Sequence, residues 1–426
     1  MRTPLAGSLI VALVLTAVPA QRAAAQSIEV DRLRGLQMLD QIQKDLVEHY
    51  FDPTFHGVDL TGLIARARQR IGAASSLGEI FGILGGVCLD MRDSHTMFGP
   101  PRRVHDVQYG WGWRPTGDRM LVAWVAADSD AHAKGLRVGD TVAEIAGYAV
   151  TRANHATLWY LLWQLRPQPK LALIVEREGV RRTVEIESSI VTLDSRLNDL
   201  GQYTMQEWIM QGDDPEPSHQ WLADGVLYWR LPTLQLEPLR VVVHERAVRK
   251  ATKVILDLRG NEGGSQAAMV RAAGFFARDA EVLTRVMRRE REVVRTPKGG
   301  KPAEAEVIVL VDSHTGSAAE ILARFLQLRG IRVVGDRTSG HVTSGRIFGH
   351  ALGDGDIKVL YRVQVAVADG IMPDGKRLEG IGVIPDTFSL PTPDDLEKKL
   401  DPVLAQAAAS FGVTIDSQRA GRLSRQ

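Results

Sequence analysis

Glu306-Val307-Ile308-Val309-Leu310-Val311 is followed by Asp312-Ser313-His314-Thr315-Gly316-Ser317, then by Ala318–Leu328, then by Ile331-Arg332-Val333-Val334. The first run is almost wholly apolar and β-branched, which predicts a strand buried on both faces. Ile321, Leu322, Phe325 and Leu328 fall on one face of a helix. The last run predicts a second strand. Strand, short helix, strand implies an α/β core with parallel pairing. Working outward, Lys253-Val254-Ile255-Leu256-Asp257-Leu258 is another buried-strand pattern, followed by a Gly-rich turn and a helix near Ala267–Ala277.

Ser317 stands between a strand and a helix, where a hydroxyl is exposed at the end of a sheet. The free N–H groups and partial positive charge of the helix N-terminus face any oxyanion formed there. Ser317 and Glu320 also have capping-box spacing, so the serine equally reads as a plain helix cap. Asp257-Leu258-Arg259-Gly260-Asn261-Glu262-Gly263-Gly264 is a Gly-rich turn able to present backbone N–H groups to negative charge. It fails the phosphate-loop spacing and reads equally as an ordinary strand-to-helix turn.

The 426 residues are 44% hydrophobic and 24% charged, which excludes wholesale disorder. Lys+Arg 52 against Asp+Glu 51 leaves a net charge of +1, so no electrostatic case exists for nucleic acid or an anionic membrane as main partner. The single cysteine, Cys88, excludes an internal disulfide framework and multi-cysteine metal sites. Scattered histidines support no metal site, and no cofactor is implied.

Leu5 to Val18 is apolar and of signal-peptide length, and Ala23-Ala24-Ala25 fits a small-x-small cleavage pattern, with mature chain from near Gln26. The expectation is an exported protein, periplasmic or secreted, with no stable membrane insertion after signal removal. Residues 26–104 read as helical, with Ile28, Leu33, Leu36, Met38, Leu39, Ile42 and Leu46 at near-helical spacing and further runs at Leu60–Ile71 and Leu77–Leu89. Residues 105–190 read as a β-rich module, with strands at Leu121–Val125 and Leu171–Val175. Residues 191–400 hold the α/β core. The segment Gln211–Ser218 reads as a connection. Residues 401–426 read as a helix and a polar, frayed tail.

Ala131 to Asp140, with Ile145-Ala146-Gly147 after it, resembles the signature of a PDZ domain. Tyr109-Gly110-Trp111-Gly112-Trp113 matches the place of the carboxylate-binding loop there, which makes Gly110, Trp111, Gly112 and Trp113 candidate substrate contacts. Such domains take an extended peptide C-terminus by strand addition. Helical domain, PDZ domain, D-x-R-x-N-x-G-G at 257–264, and a strand–Ser–helix unit occur in this order in the C-terminal processing peptidases, or tail-specific proteases, which the chain resembles over most of its length. The closing motif resembles Leu378-Glu379-Gly380-Ile381-Gly382-Val383-Ile384-Pro385-Asp386.

The resemblance implies a multidomain α/β protein with a ClpP/crotonase-like peptidase core, acting on protein or peptide substrates through an acyl-enzyme on Ser317. It departs from the family at one place. Members with a Ser-Lys dyad have lysine in T-x-G-K-G, whereas this chain has Thr338-Ser339-Gly340-His341-Val342, and the glutamine four residues on is Gly345. The tricorn protease branch instead takes a histidine from a Ser-His pair before the PDZ insert, with a late glutamate. Asp93-Ser94-His95-Thr96 and Glu379 match those positions. The resemblance then implies Ser317 as nucleophile, His95 as base, and Ser94 and Glu379 as orienting groups. His341 stands as the competing base. The oxyanion donors would be the N–H of Ala318 and one of Gly263 or Gly264. With a histidine of ordinary basicity, activity is expected to fall as pH drops through roughly 6–7. The alternative is a degenerate scaffold that binds peptides or hydrophobic ligands, or serves as an adaptor, without cleavage.

Overall fold

Three helices come first: α1 (Ala17–His49), α2 (Leu60–Ala73) and α3 (Leu77–Leu89). The computed structural model describes residues 17–103, 105–192, 217–235, 238–353 and 358–425. The expected signal segment lies outside the described residues up to position 16, and the expected connection at 211–218 lies outside them up to position 216. Asp59 caps α2 by accepting the Gly62 N–H, and Ser76 caps α3 by accepting that of Glu79. Met38, Leu39, Ile42 and Leu46 are buried as their spacing predicts. Leu33 is not: it is 62% exposed. At about 100° per residue it lies about half a turn out of phase with Ile42 and faces solvent.

After β1 (Met97–Gly99) comes a β-rich module. It contains β2 (His105–Gln108), β3 (Trp111–Thr116), β4 (Arg119–Val125), α4 (Asp130–Ala133), β5 (Thr141–Ile145), β6 (Tyr148–Ala149) and α5 (His155–Trp159). β7 (Lys170–Arg177), β8 (Val180–Glu187) and β9 (Ser189–Thr192) complete it. One antiparallel sheet runs β3-β4-β5-β7-β8, with β6 beside β5; β2 pairs with β9. Val122, Leu171, Leu173 and Val175 point into its core.

The core region holds β10 (Ser218–Ala223), β11 (Val226–Arg230), α6 (Pro238–Val242), α7 (Glu245–Lys250), β12 (Lys253–Asp257) and α8 (Gln266–Ala273). It continues with β13 (Glu281–Met287), β14 (Arg291–Arg295), β15 (Glu306–Val311), α9 (Ala318–Gln327), β16 (Arg332–Gly335), β17 (Ser344–Leu352) and β18 (Val359–Ile371). Last come β19 (Thr387–Phe388), α10 (Pro393–Glu397), α11 (Pro402–Ser410) and α12 (Ser417–Leu423).

The sheet order is β10-β11-β12-β15-β16-β19, parallel from β11 onward. Val307, Val309 and Val311 face the α8–α9 side, while Ile308 and Leu310 face α11 and α12. Both faces are therefore covered, which is why these strands read as continuous apolar runs. The tail differs from expectation. Asp416 caps α12, and Ala420 and Leu423 pack with Leu404 under the sheet. Two small apolar anchors one turn apart suffice to dock a segment that reads as polar.

A second sheet runs β1-β18-β13-β14, with β17 also on β18. Tyr361, Val363 and Val365 of β18 join the core of the N-terminal helices. Met97 lies opposite Gln364, so the chain just before β1 is delivered from the helical region to the edge of this second sheet.

Candidate functional site

Ser317 follows β15 directly and opens α9, as predicted. Its backbone has φ 50° and ψ −124°, a conformation that a side chain makes costly. The turn is held from outside. The Ser317 N–H donates to the His341 carbonyl at 2.8 Å and to Glu320 Oε2 at 3.1 Å. Glu320's own N–H donates to the Ser317 carbonyl at 3.0 Å, and the Ser317 hydroxyl makes no cap hydrogen bond. The residue has the position of a cap, but the carboxylate does the capping and the hydroxyl is left over.

The Gly-rich turn touches this serine. A Cβ on Gly263 would lie 2.6 Å from Ser317 Cβ, and the Gly263 φ of 102° also calls for glycine. The two glycines differ in their donors. Gly263 N–H donates to Asn261 Oδ1 at 2.9 Å, inside the buried turn. Those of Gly264 and Ala318 have no partner among the described residues. Asp312 ties the two turns together, its Oδ1 accepting the N–H groups of Gly260 at 2.9 Å and His314 at 3.0 Å. Arg114 of β3 reaches Asp312 Oδ2 at 3.1 Å, which anchors the β-rich module to the same place.

His95, Ser94 and Glu379 meet. Glu379 Oε1 accepts the Ser94 N–H at 2.7 Å, and Oε2 accepts the Ser94 hydroxyl at 3.1 Å. Oε2 also takes the N–H groups of Val342 at 2.8 Å and Thr343 at 3.0 Å. Ser94 Oγ lies 2.7 Å from His95 Nδ1. A hydroxyl has one proton, and here it goes to the carboxylate. Its lone pair therefore accepts from Nδ1–H, which leaves Nε2 of the neutral ring unprotonated. Burial pushes the His95 imidazole down to about 4, Glu379 pulling it back up and His341 adding to the fall. His341 is also pushed down by burial. Its N–H donates to Glu320 Oε2 at 2.9 Å. His314 is more exposed, and its Nδ1 lies 3.8 Å from Glu262 Oε1.

Thr343 escapes a sequence reading, and Asp93 and Glu320 take roles beyond those it gives them. Thr343 Oγ1 is 3.1 Å from His95 Nδ1. Asp93 accepts the His95 N–H at 2.8 Å, the Thr96 hydroxyl at 2.8 Å and the Tyr50 hydroxyl at 2.9 Å. The Asp-Ser-His-Thr order is an Asx-turn signal that would have found it. Glu320 is wholly buried and accepts from Ser317, Thr338, Ser339, Gly340 and His341. Burial pushes its carboxyl up to about 7 although those donors pull it down. The space that a side chain at Gly345 would take is filled by the Gln364 amide.

The 110–113 stretch needs a correction. Trp111 is 1% exposed, and its ring packs with Trp113 and Trp163 in the module core. Its indole is unavailable to a ligand, and only its backbone on β3 can face one. Gly112 makes room for the indole of Trp124, whose Nε1 would lie 2.4 Å from a Cβ there. Gly110 has φ 71° and turns the chain into β3. β3 is the first strand of its sheet and pairs only with β4 among the described residues.

Among the described residues, no group of three or more His, Cys, Asp or Glu side chains is arranged to hold a metal ion. No described helix is long and apolar enough to cross a membrane.

A family model for peptidase family S41 matches residues 226–388. The chloroplastic carboxyl-terminal-processing peptidase 1 of Arabidopsis thaliana is 29% identical over 164 residues, 38% of this chain and 32% of that protein. The carboxyl-terminal-processing protease of Synechocystis sp. is 28% identical over 180 residues, 41% of this chain and 39% of that protein. The match thus spans well under half of these relatives' length. The fold resembles the crystal structure of mature CPAF with a TM-score of 0.62 at 14% identity, over 86% of this chain and 94% of that one. The matched region carries the Gly-rich turn, Ser317, Glu320, His341 and Glu379, and over it the chain is similar to peptidase family S41 and to carboxyl-terminal-processing peptidases.

Proposed function

We propose that the protein is a serine endopeptidase whose nucleophile is Ser317 and whose base is His95. Ser317 Oγ attacks the scissile carbonyl carbon while its proton passes to His95 Nε2. The Ala318 and Gly264 N–H groups receive the oxyanion. Collapse expels the amine, which takes the proton from His95, and leaves an acyl-enzyme. Water, deprotonated by the same imidazole, then releases the acid and restores the serine. Ser94 and Glu379 keep the ring in the tautomer that this sequence of transfers needs. The carrying observation is the hydrogen-bonded run from His95 through Ser94 to Glu379. Its carboxylate also holds the backbone next to His341, on which the Ser317 N–H rests.

Residues 105–190 act in this reading as a PDZ domain that adds a substrate's C-terminal segment along the open edge of β3, with the loop at Gly110 receiving the terminal carboxylate. The protein is exported by its N-terminal segment and works in the periplasm or outside the cell. The division at 26–104, 105–190, 191–400 and 401–426 is the working domain plan.

The test is turnover of an unfolded protein by the chain beside Ser317→Ala. Cleavage abolished in the variant supports the peptidase. A folded wild type that binds peptide C-termini and cleaves nothing overturns it in favour of a binding scaffold, the reading that the absent lysine at His341 keeps in play.

A further inference from the structure

A cavity of about 960 Å³ opens between the α1–α2 connection, the β13–β14 turn and the turn that carries Glu379. Five arginines line it: Arg92, Arg288, Arg289, Arg291 and Arg377. Among the described residues only Arg377 has a carboxylate partner, that of Asp369. Arg288 donates to the Tyr50 carbonyl at 3.0 Å. The guanidinium groups of Arg92, Arg289 and Arg291 have no hydrogen-bond or ion-pair partner among the described residues.

Of the remaining wall carboxylates, Glu290 is exposed and forms no ion pair with these arginines, and two are committed elsewhere. Asp52 accepts from the Thr54 and His56 N–H groups of its own turn, and Glu379 from Ser94, Val342 and Thr343. A chain of net charge +1 has enough carboxylates to neutralise such a cluster, yet among the described residues only Arg377 of the cluster is ion-paired. Arg92 moreover adopts φ 58°, a conformation that glycine takes more easily and that costs roughly 1 kcal/mol or more for a side chain. Like charges gathered in a concave, low-dielectric wall create a field that concentrates anions. Guanidinium forks match carboxylates in shape and donors. The volume suits several side chains better than a single inorganic ion.

We propose that this cavity is an anion-binding subsite that takes carboxylate side chains of an acidic stretch of the polypeptide substrate, with Arg92, Arg288 and Arg289 as the guanidinium partners. The cavity reaches Glu379, which is two hydrogen bonds from His95. That the anion belongs to a substrate rests on the peptidase reading; that the site binds carboxylates does not.

Binding is measured on the folded Ser317→Ala chain with a fluorescent peptide carrying a run of glutamates and with its glutamine counterpart. The glutamate peptide is expected to bind about tenfold tighter. The exposed double variant Arg92→Gln/Arg289→Gln is expected to remove at least about fivefold of that preference and to leave the glutamine peptide unchanged. Equal binding of both peptides, or a preference that survives the double variant, overturns the proposal. Inorganic phosphate is the second arm. Displacement no stronger than sodium chloride of equal ionic strength supports a peptide site, and specific displacement by phosphate assigns the cavity to a free oxyanion and overturns it. Because Ser317→Ala is used, an inert enzyme shows as absent wild-type turnover and an absent subsite as absent glutamate preference.

Discussion

The carboxylate of Glu379 accepts both the backbone N–H of Ser94, at 2.7 Å, and its hydroxyl, at 3.1 Å, across 285 positions of sequence. One side chain thereby holds the end of the helical region against the loop of His341 and sets which nitrogen of His95 is free. The consequences can be measured.

His95→Ala is expected to lower kcat/KM by roughly 10³-fold or more, as loss of a triad base does. His341→Ala should cost less than about tenfold, because alanine keeps the N–H given to Glu320 and the carbonyl that receives the Ser317 N–H. Steady-state kinetics on one peptide ranks the two. The reverse ranking would move the base to His341.

The acid limb of kcat/KM should lie below about pH 5, not at the 6–7 expected of an ordinary imidazole. Burial holds His95 down at about 4, so the neutral ring persists as pH falls. The same depression means that the folded state loses stability from about pH 6.5 down through 4, since the unfolded chain takes up the proton first. A pH–rate profile with its limb near 6.5 would contradict the buried environment of His95.

Glu320→Gln should lower kcat at least about tenfold and cost about 3 kcal/mol of stability. Its carboxylate accepts the N–H groups of Gly340 at 2.7 Å and His341 at 2.9 Å, and an amide would turn an NH₂ toward donors. Thermal unfolding and kcat should fall together. An unaltered melting temperature would show that the loop is held by something else.

Arg152→Ala should loosen the β-rich module from the core. The Arg152 guanidinium meets Asp336 at 3.0 Å, both nearly buried, and Asp336 also accepts the Gly117 N–H at 2.9 Å. Breaking a buried pair from one side costs about 3 kcal/mol. Faster amide exchange confined to the β3–β4 turn and residues 336–338 is the expected signature. Unchanged exchange there would place the docking on other ties, such as Arg114–Asp312 and the Ser313 hydroxyl on the Pro115 carbonyl.

Much of the fold was legible in local patterns. The periodicity at Leu77–Leu89 predicts α3 to the residue, and the runs at 253–258 and 306–311 predict β12 and β15. Leu33 was misread because an apolar residue on a helix carries no label for the face it lies on. The tail was misread because Ala420 and Leu423 are too few to outweigh polar neighbours in a sequence window, although the sheet gives them a surface. In the site, motif order brought Ser317, His95, Ser94 and Glu379 forward together. Thr343, and the reach of Glu320 to residues 338–341, escaped because a hydrogen bond between distant segments leaves no periodic trace.

The sequence by itself determined the parallel core, the strand–serine–helix unit and the family resemblance, since buried strands, helix faces and glycine turns are written in residue types a few positions apart. Tertiary structure alone decided which nitrogen of His95 is free, that Trp111 is core and not a ligand contact, that Glu320 caps in place of the Ser317 hydroxyl, and that five arginines share one wall. Each of these depends on distances between segments tens to hundreds of residues apart, and such distances are set by how whole sheets and helices bury their faces against one another.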